Sequence, residues 1–299
     1  MNNEKTLILV THGVMIKEHN WDTDSLEYRC FDNEFTKCKD KMLNKINKIE
    51  YLKGKVIIKD LKWSEFMDPT LEKLKEKYEL GAKNHKKSYF FRKSIPGWSG
   101  LRLFLFDCFG YPIIYLLYKE NNESLFEKIN EKFLDELRKY AENLGENANL
   151  IIFAHSLGAI ITYYFLTYLQ ESRKTPSFDE SRTPLERGET LKFLYTSDNP
   201  LPFVSVLLTN PKFGKPIEVN KWVNFYNKND YIAYPIGVFN EEYAKRSDNA
   251  RKNKYPMIID KKVFSGGILK GWNSMSHTCY FSDKKIIKTI VEDLQELYS

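Results

Sequence analysis

LIIFAHSLGAIITYYFLTYL, residues 150–169, joins two apolar runs through the short turn Ala154-His155-Ser156-Leu157-Gly158. Leu150-Ile151-Ile152-Phe153 has the length and composition of a buried strand, and Ala159 to Leu169 that of a buried helix. A serine at a sharp strand-to-helix turn is held with strained backbone angles. It is expected to stand clear of the sheet edge and aim its hydroxyl outward over the N-terminus of the following helix. Small residues on either side let strand and helix pack closely, and Ala154 and Gly158 supply them.

Working outward, Thr6 to Val10 reads as a buried strand ending in Thr11-His12-Gly13, and Val56 to Lys59 as a second strand. Between them, Phe35, Met42, Leu43, Ile46 and Ile49 recur near helical period over residues 35–51, and beyond the second strand Phe66, Leu71, Leu74 and Tyr78 repeat the pattern over 65–80. Ser124 with Glu127 forms a capping box for a helix that Gly145 stops and that feeds the serine strand. Leu191 to Thr196, Trp222 to Tyr226 and Met257 to Phe264 read as further strands, and Ser282 to Leu297 as an amphipathic helix. Alternating strands and helices predict an α/β fold with a mainly parallel central sheet flanked by helices on both faces.

One domain over residues 1–299 is expected, with a cap or pocket-lining insertion around 84–122 and a flexible surface loop over 171–190, where Pro176 and Pro184 interrupt a charged stretch. Leu101 to Tyr118 is apolar and aromatic but carries Arg102, Asp107, Gly110 and Pro112, which argues against a membrane span. It reads as a buried helix and turn, or as the lining of an apolar substrate pocket, with membrane contact a third reading.

The composition, 42% hydrophobic and 29% charged, is that of a globular protein. Nothing in MNNEKTLILV signals export, so the cytoplasm is the expected compartment. Cys30, Cys38, Cys108 and Cys279 lack metal-ligand spacing, so neither a metal nor a disulfide framework is expected. The net charge of +6 is spread over segments with interleaved acids. It fits solvated helix faces and weak contact with an anionic membrane surface rather than nucleic-acid binding.

A serine hydroxyl is a poor nucleophile at neutral pH and needs a base and an orienting acid. In this topology the chain order is serine, acid, histidine. His277 is the only histidine after Ser156, and it precedes the terminal helix. Asp230, in the loop after the strand Trp222 to Tyr226, is the expected acid, with Asp198 after the preceding strand as its rival. Asp283 and Asp293 in the terminal helix read as capping or solvated residues. The oxyanion of a tetrahedral intermediate requires donors, which the backbone amides of Leu157 and Val14 would supply. His12 and Gly13 form the supporting loop.

Through LVTHGV, IIFAHSLGAII, WVNFYNKNDYIAYP and MSHTCYF the chain resembles the lipase/esterase-like bacterial serine hydrolases of the α/β-hydrolase superfamily. Ala154 stands where that pattern usually has glycine, the leading hairpin of the family is apparently absent, and Thr196-Ser197-Asp198-Asn199-Pro200 replaces a Gly-Ser-Pro-like turn. The resemblance implies Ser156 as nucleophile, Asp230 as acid, His277 as base and the Val14 and Leu157 amides as oxyanion hole. It also implies no metal or organic cofactor and a small-molecule or lipid acyl ester as substrate. A thioesterase or amidase with the same triad, and a noncatalytic binding module on the same fold, are the alternatives; oligomeric state is left open.

Overall fold

Six short runs rich in Val, Ile, Leu, Phe and Tyr pair into one all-parallel sheet. They are β1 (Thr6–Thr11), β4 (Val56–Leu61), β5 (Asn149–His155), β6 (Leu191–Ser197), β7 (Lys221–Tyr226) and β8 (Met257–Lys262), in the order β4-β1-β5-β6-β7-β8. This computed structural model describes residues 4–13, 18–20, 25–27, 29–63, 66, 123–174, 182–202, 204, 215–230, 233–264, 280 and 283–299. The chain divides into two compact units. The larger, Met1–Gly13, Arg29–Leu61 and Phe133–Ser299, carries the sheet; the smaller, Val14–Tyr28 and Lys62–Lys132, contains the antiparallel pair β2 (Glu18–Asn20) and β3 (Ser25–Glu27), which the sequence did not announce. The expected insertion over 84–122, the run Leu101 to Tyr118 and, apart from Phe66, the helix expected over 65–80 lie outside the described residues.

The described helices are α1 (Arg29–Ile46), α2 (Glu123–Leu144), α3 (Leu157–Ser172), α4 (Glu241–Arg251) and α5 (Lys284–Tyr298). Successive strand residues point to opposite faces. Ile8, Val10, Ile151, Phe153, Val223 and Phe225 pack into one core with Met42 and Ile46 of α1 and Ile286, Ile290 and Leu294 of α5. On the other face, Thr162 of α3 hydrogen bonds Thr11 at 3.1 Å, and Tyr243 of α4 lies against Trp222 with ring centroids 5.9 Å apart. The chain steps from β1 to β4 in one direction and then from β4 through β5, β6 and β7 to β8 in the other. The two directions meet between β1 and β5, and the crevice at the carboxyl ends of these strands is the topological switch point.

Element ends depart from expectation in local ways. After α1 the backbone tightens, Lys48 and Ile49 donating to the carbonyls three residues back, and a single 3-10 turn, Glu50–Leu52, buries Leu52. Ser124 lies within α2, and Gly145 ends that helix as expected, with φ of 105° and its N–H bonded to Ala141 O at 2.9 Å. β8 stops at Lys262, leaving Phe264 exposed, and its lysines suit an edge strand. Residues 182–190, part of the expected surface loop, are irregular but no excursion: Leu185 and Glu186 are buried, and Glu186 accepts from Arg138 Nε at 3.1 Å. Among the described residues no helix is long and apolar enough to cross a membrane.

Asp283 caps α5, its carboxylate accepting from the Lys285 and Ile286 amides, but the expectation that Asp293 is a capping or solvated residue is wrong. Asp293 is buried because α5 lies on the sheet face from which Tyr195 and Lys221 project, and both reach it. Tyr195 OH donates to one carboxylate oxygen at 2.6 Å and Lys221 Nζ to the other at 2.6 Å. Burial, and then the charge and hydrogen bond of Asp293, push the Tyr195 phenol well above its ordinary value. Burial works to lower Lys221, but the hydrogen bond and charge of Asp293 outweigh it and hold the ammonium above its ordinary value. Asp293→Ala strands both partners, so it should cost roughly 3 kcal/mol in urea unfolding. Both donors keep their protons longer in the folded chain than in the unfolded one. Their contribution is therefore complete at neutral pH and is lost as pH rises above about 10, where the unfolded groups deprotonate. Thermal midpoints measured from pH 8 to 11 should fall at the alkaline end, and less steeply in Tyr195→Phe.

Candidate functional site

At the switch point, β5 runs directly into α3 and Ser156 is the residue between them, with φ of 52° and ψ of −126°. A positive φ is costly for a residue with a Cβ, of order 1–3 kcal/mol, and persists only where the surroundings hold it. Here they do. The Ser156 N–H donates to Ser197 O of β6 at 2.9 Å, and the Ala159 N–H to Ser156 O at 2.9 Å, so the turn is fastened at both ends.

Glycine is required twice around this serine for want of space. A Cβ on Gly158 would lie 2.4 Å from His12 O and 2.5 Å from Thr11 O, so the first turn of α3 rests on the bare backbone at the end of β1. A Cβ on Gly13 would lie 2.7 Å from Ser156 Cβ, which places the His12-Gly13 loop directly against the serine. This contact also buries Ser156 to 6% exposure, so its side chain does not stand clear in solvent as the turn alone suggests.

Polar side chains fill the rest of this edge. His12 is 1% exposed; its Nδ1 lies 2.6 Å from Gly13 O, and since a carbonyl can only accept, Nδ1 carries the proton and ties the loop to itself. His155 turns to β6, where its Nδ1 shares a hydrogen bond with Ser197 Oγ at 3.1 Å. Leu157 is the first residue of α3, so its amide is one of those for which a helix offers no internal acceptor. Val14 lies outside the described residues.

Both candidate acids are buried, at the ends of neighbouring strands. Asp198 follows β6 directly, fully buried with φ of 55°, its N–H donating to Phe225 O of β7 at 3.2 Å. Asp230 sits four residues beyond β7 in a turn that Asn227 organises: Asn227 Oδ1 accepts from the Asn229 N–H at 3.1 Å, and Asn227 O from the Asp230 N–H at 3.0 Å. His277 lies outside the described residues, but Tyr280, three positions later, does not. Its buried hydroxyl accepts from the Asn227 N–H at 2.8 Å and its ring lies 5.8 Å from that of His155. Tyr280 therefore meets both the residue before Ser156 and the turn that carries Asp230.

Ser156, Leu157, His12, Gly13, Asp198 and Asp230 are thus gathered at the carboxyl ends of β1, β5, β6 and β7. Sequence reasoning passed over Ser197 and Tyr280. The pairing of His155 with Ser197 is set by the sheet and left no mark in the sequence, and Tyr280 carried only its place in MSHTCYF. No group of His, Cys, Asp and Glu that could hold a metal ion is found among the described residues. No family model and no curated protein matches the chain.

Two substitutions test the packing of the turn. Gly158→Ala should destabilise by roughly 1–3 kcal/mol or more, since the obstructing atoms are backbone. Ser156→Gly should be more stable than Ser156→Ala by about 1 kcal/mol in denaturant titration, because glycine relieves the positive φ.

Proposed function

We propose that this protein is a serine hydrolase of the α/β-hydrolase fold that cleaves carboxylic esters of apolar acyl groups. One observation carries the reading: Ser156 is held at positive φ between β5 and α3, at the switch point of a parallel sheet, with the Gly13 loop against its Cβ. Such backbone strain at a polar residue in a ligand-binding crevice is the mark of a functional constraint, since packing alone would favour glycine there. The strand order, the two required glycines and the polar carboxyl edge all support this fold and this use of it.

In the proposed reaction His277 takes the hydroxyl proton as Ser156 Oγ attacks the acyl carbon, and Asp230 holds the imidazole in the required tautomer. The Leu157 and Val14 amides bind the oxyanion of the tetrahedral intermediate. Collapse expels the alcohol with the proton from His277, leaving an acyl-serine that water, activated by the same histidine, hydrolyses. No metal or organic cofactor takes part. Asp230 is favoured as the acid because its turn is bonded to Tyr280, three positions after His277 in the sequence. Full burial and positive φ make Asp198 the second choice.

Fluorophosphonate labelling followed by intact mass tests the nucleophile. Wild type should gain one phosphonyl group mapped to Ser156, and Ser156→Ala none, with its ester turnover reduced ~10⁴–10⁶-fold. A folded wild type that stays unlabelled would falsify the assignment and favour a binding module. Matched acyl esters, thioesters and amides rank the scissile bond. Asp230→Asn should lower kcat by up to ~10⁴-fold, and a greater loss in Asp198→Asn would move the acid to that residue.

A further inference from the structure

We propose that Tyr280 is a positioning residue that sets the spacing between the nucleophile turn and the acid turn. Two observations on different strands carry this. The Tyr280 ring packs 5.8 Å from His155, the residue immediately before Ser156, and its hydroxyl accepts from the Asn227 N–H at 2.8 Å, three residues before Asp230. Neither β5 nor β7 touches the other in the sheet, because β6 runs between them. No ladder hydrogen bond joins the carboxyl ends of these two strands directly.

Tyr280 spans that gap. It is completely buried, so its ring has no freedom to swing, and its phenolic oxygen fixes the Asn227 backbone at the point where the Asp230 turn begins. Beyond β6 the brace continues through the His155 hydrogen bond to Ser197 at 3.1 Å, so the serine turn is held from the strand between as well. Downstream, the Asp283 N–H donates to Tyr280 O at 3.1 Å and fastens the tyrosine to the cap of α5. A rigid helix end, an aromatic ring and one backbone hydrogen bond together register the two turns. Reaction geometry is sensitive at this level, since a displacement of about 1 Å can cost ~10²-fold in rate.

This inference rests on the proposed roles of Ser156, Asp230 and His277, and the test separates the two. Tyr280→Phe keeps the ring against His155 and removes the hydroxyl that accepts from Asn227. The expected result is a folded protein with kcat reduced about 10- to 100-fold, KM within about twofold, and fluorophosphonate labelling of Ser156 slowed in proportion. The acid limb of the kcat/KM profile should move to lower pH, because a carboxylate held less closely to an imidazole supports its protonated form less. If Tyr280→Phe does not fold, 4-fluorophenylalanine at position 280 fills the space of the hydroxyl without its acceptor strength, with the same changes expected. Wild type that labels at Ser156, together with a folded Tyr280 variant of unchanged labelling rate and unchanged acid limb, overturns the positioning role alone. Wild type that does not label overturns the hydrolase reading beneath it.

Discussion

The contact of α3 with the end of β1 is the constraint on which the site depends. With no side chain on Gly158, the helix comes down on the Thr11 and His12 carbonyls, and the turn that joins it to β5 has no room to open. Ser156 is the residue left to absorb the change of direction, and it does so at φ of 52°. The strain is sustained by its surroundings: β5 is buried along its whole length and bonded on both sides, by β1 and by β6. A turn on an edge strand would have no such support, and a serine there would relax.

A second consequence concerns where polarity sits. Through the middle of β1 and β5 both faces are apolar, as expected of parallel strands covered by helices. Toward the carboxyl ends of β1, β5, β6 and β7 the buried residues become His12, His155, Ser197, Asp198, Asn227 and Asp230. Buried polar groups are costly unless they find partners, and these hold one another and the backbone across strands: His155 with Ser197, Asn227 with Tyr280. An edge of this kind is preorganised, since its dipoles are set by the fold and need no rearrangement when charge develops beside them. The opposite end of the sheet does different work. There Tyr298 OH donates to Glu4 O at 2.6 Å and lies 2.8 Å from Thr6 Oγ1, closing α5 onto the first strand.

Much of this was legible in the chain. Local pattern identified all six sheet strands and the ends of several helices, because a strand covered on both faces must be an apolar run and a helix must stop where Gly145 turns left-handed. The serine turn was legible for the same reason, being the junction of two such runs. Asp293 was misread because a carboxylate in an amphipathic helix, directly after the exposed Glu292, carries no mark of burial in the sequence. Only the docking of α5 on the sheet shows that Tyr195 and Lys221, 98 and 72 residues away, converge on it.

The sequence by itself did not announce α4 or the β2-β3 pair, but it determined the six strands of the sheet, their alternation with helices, and the serine at a strand-to-helix turn. These depend on side-chain periodicity and backbone propensity within a few residues. The tertiary structure alone decided the strand order, the reversal between β1 and β5, the approach of Gly13 to Ser156 and the bridging place of Tyr280. Those depend on which parallel strands become neighbours, and parallel pairing is set by crossover direction and by the packing of both faces at once, which no single segment encodes.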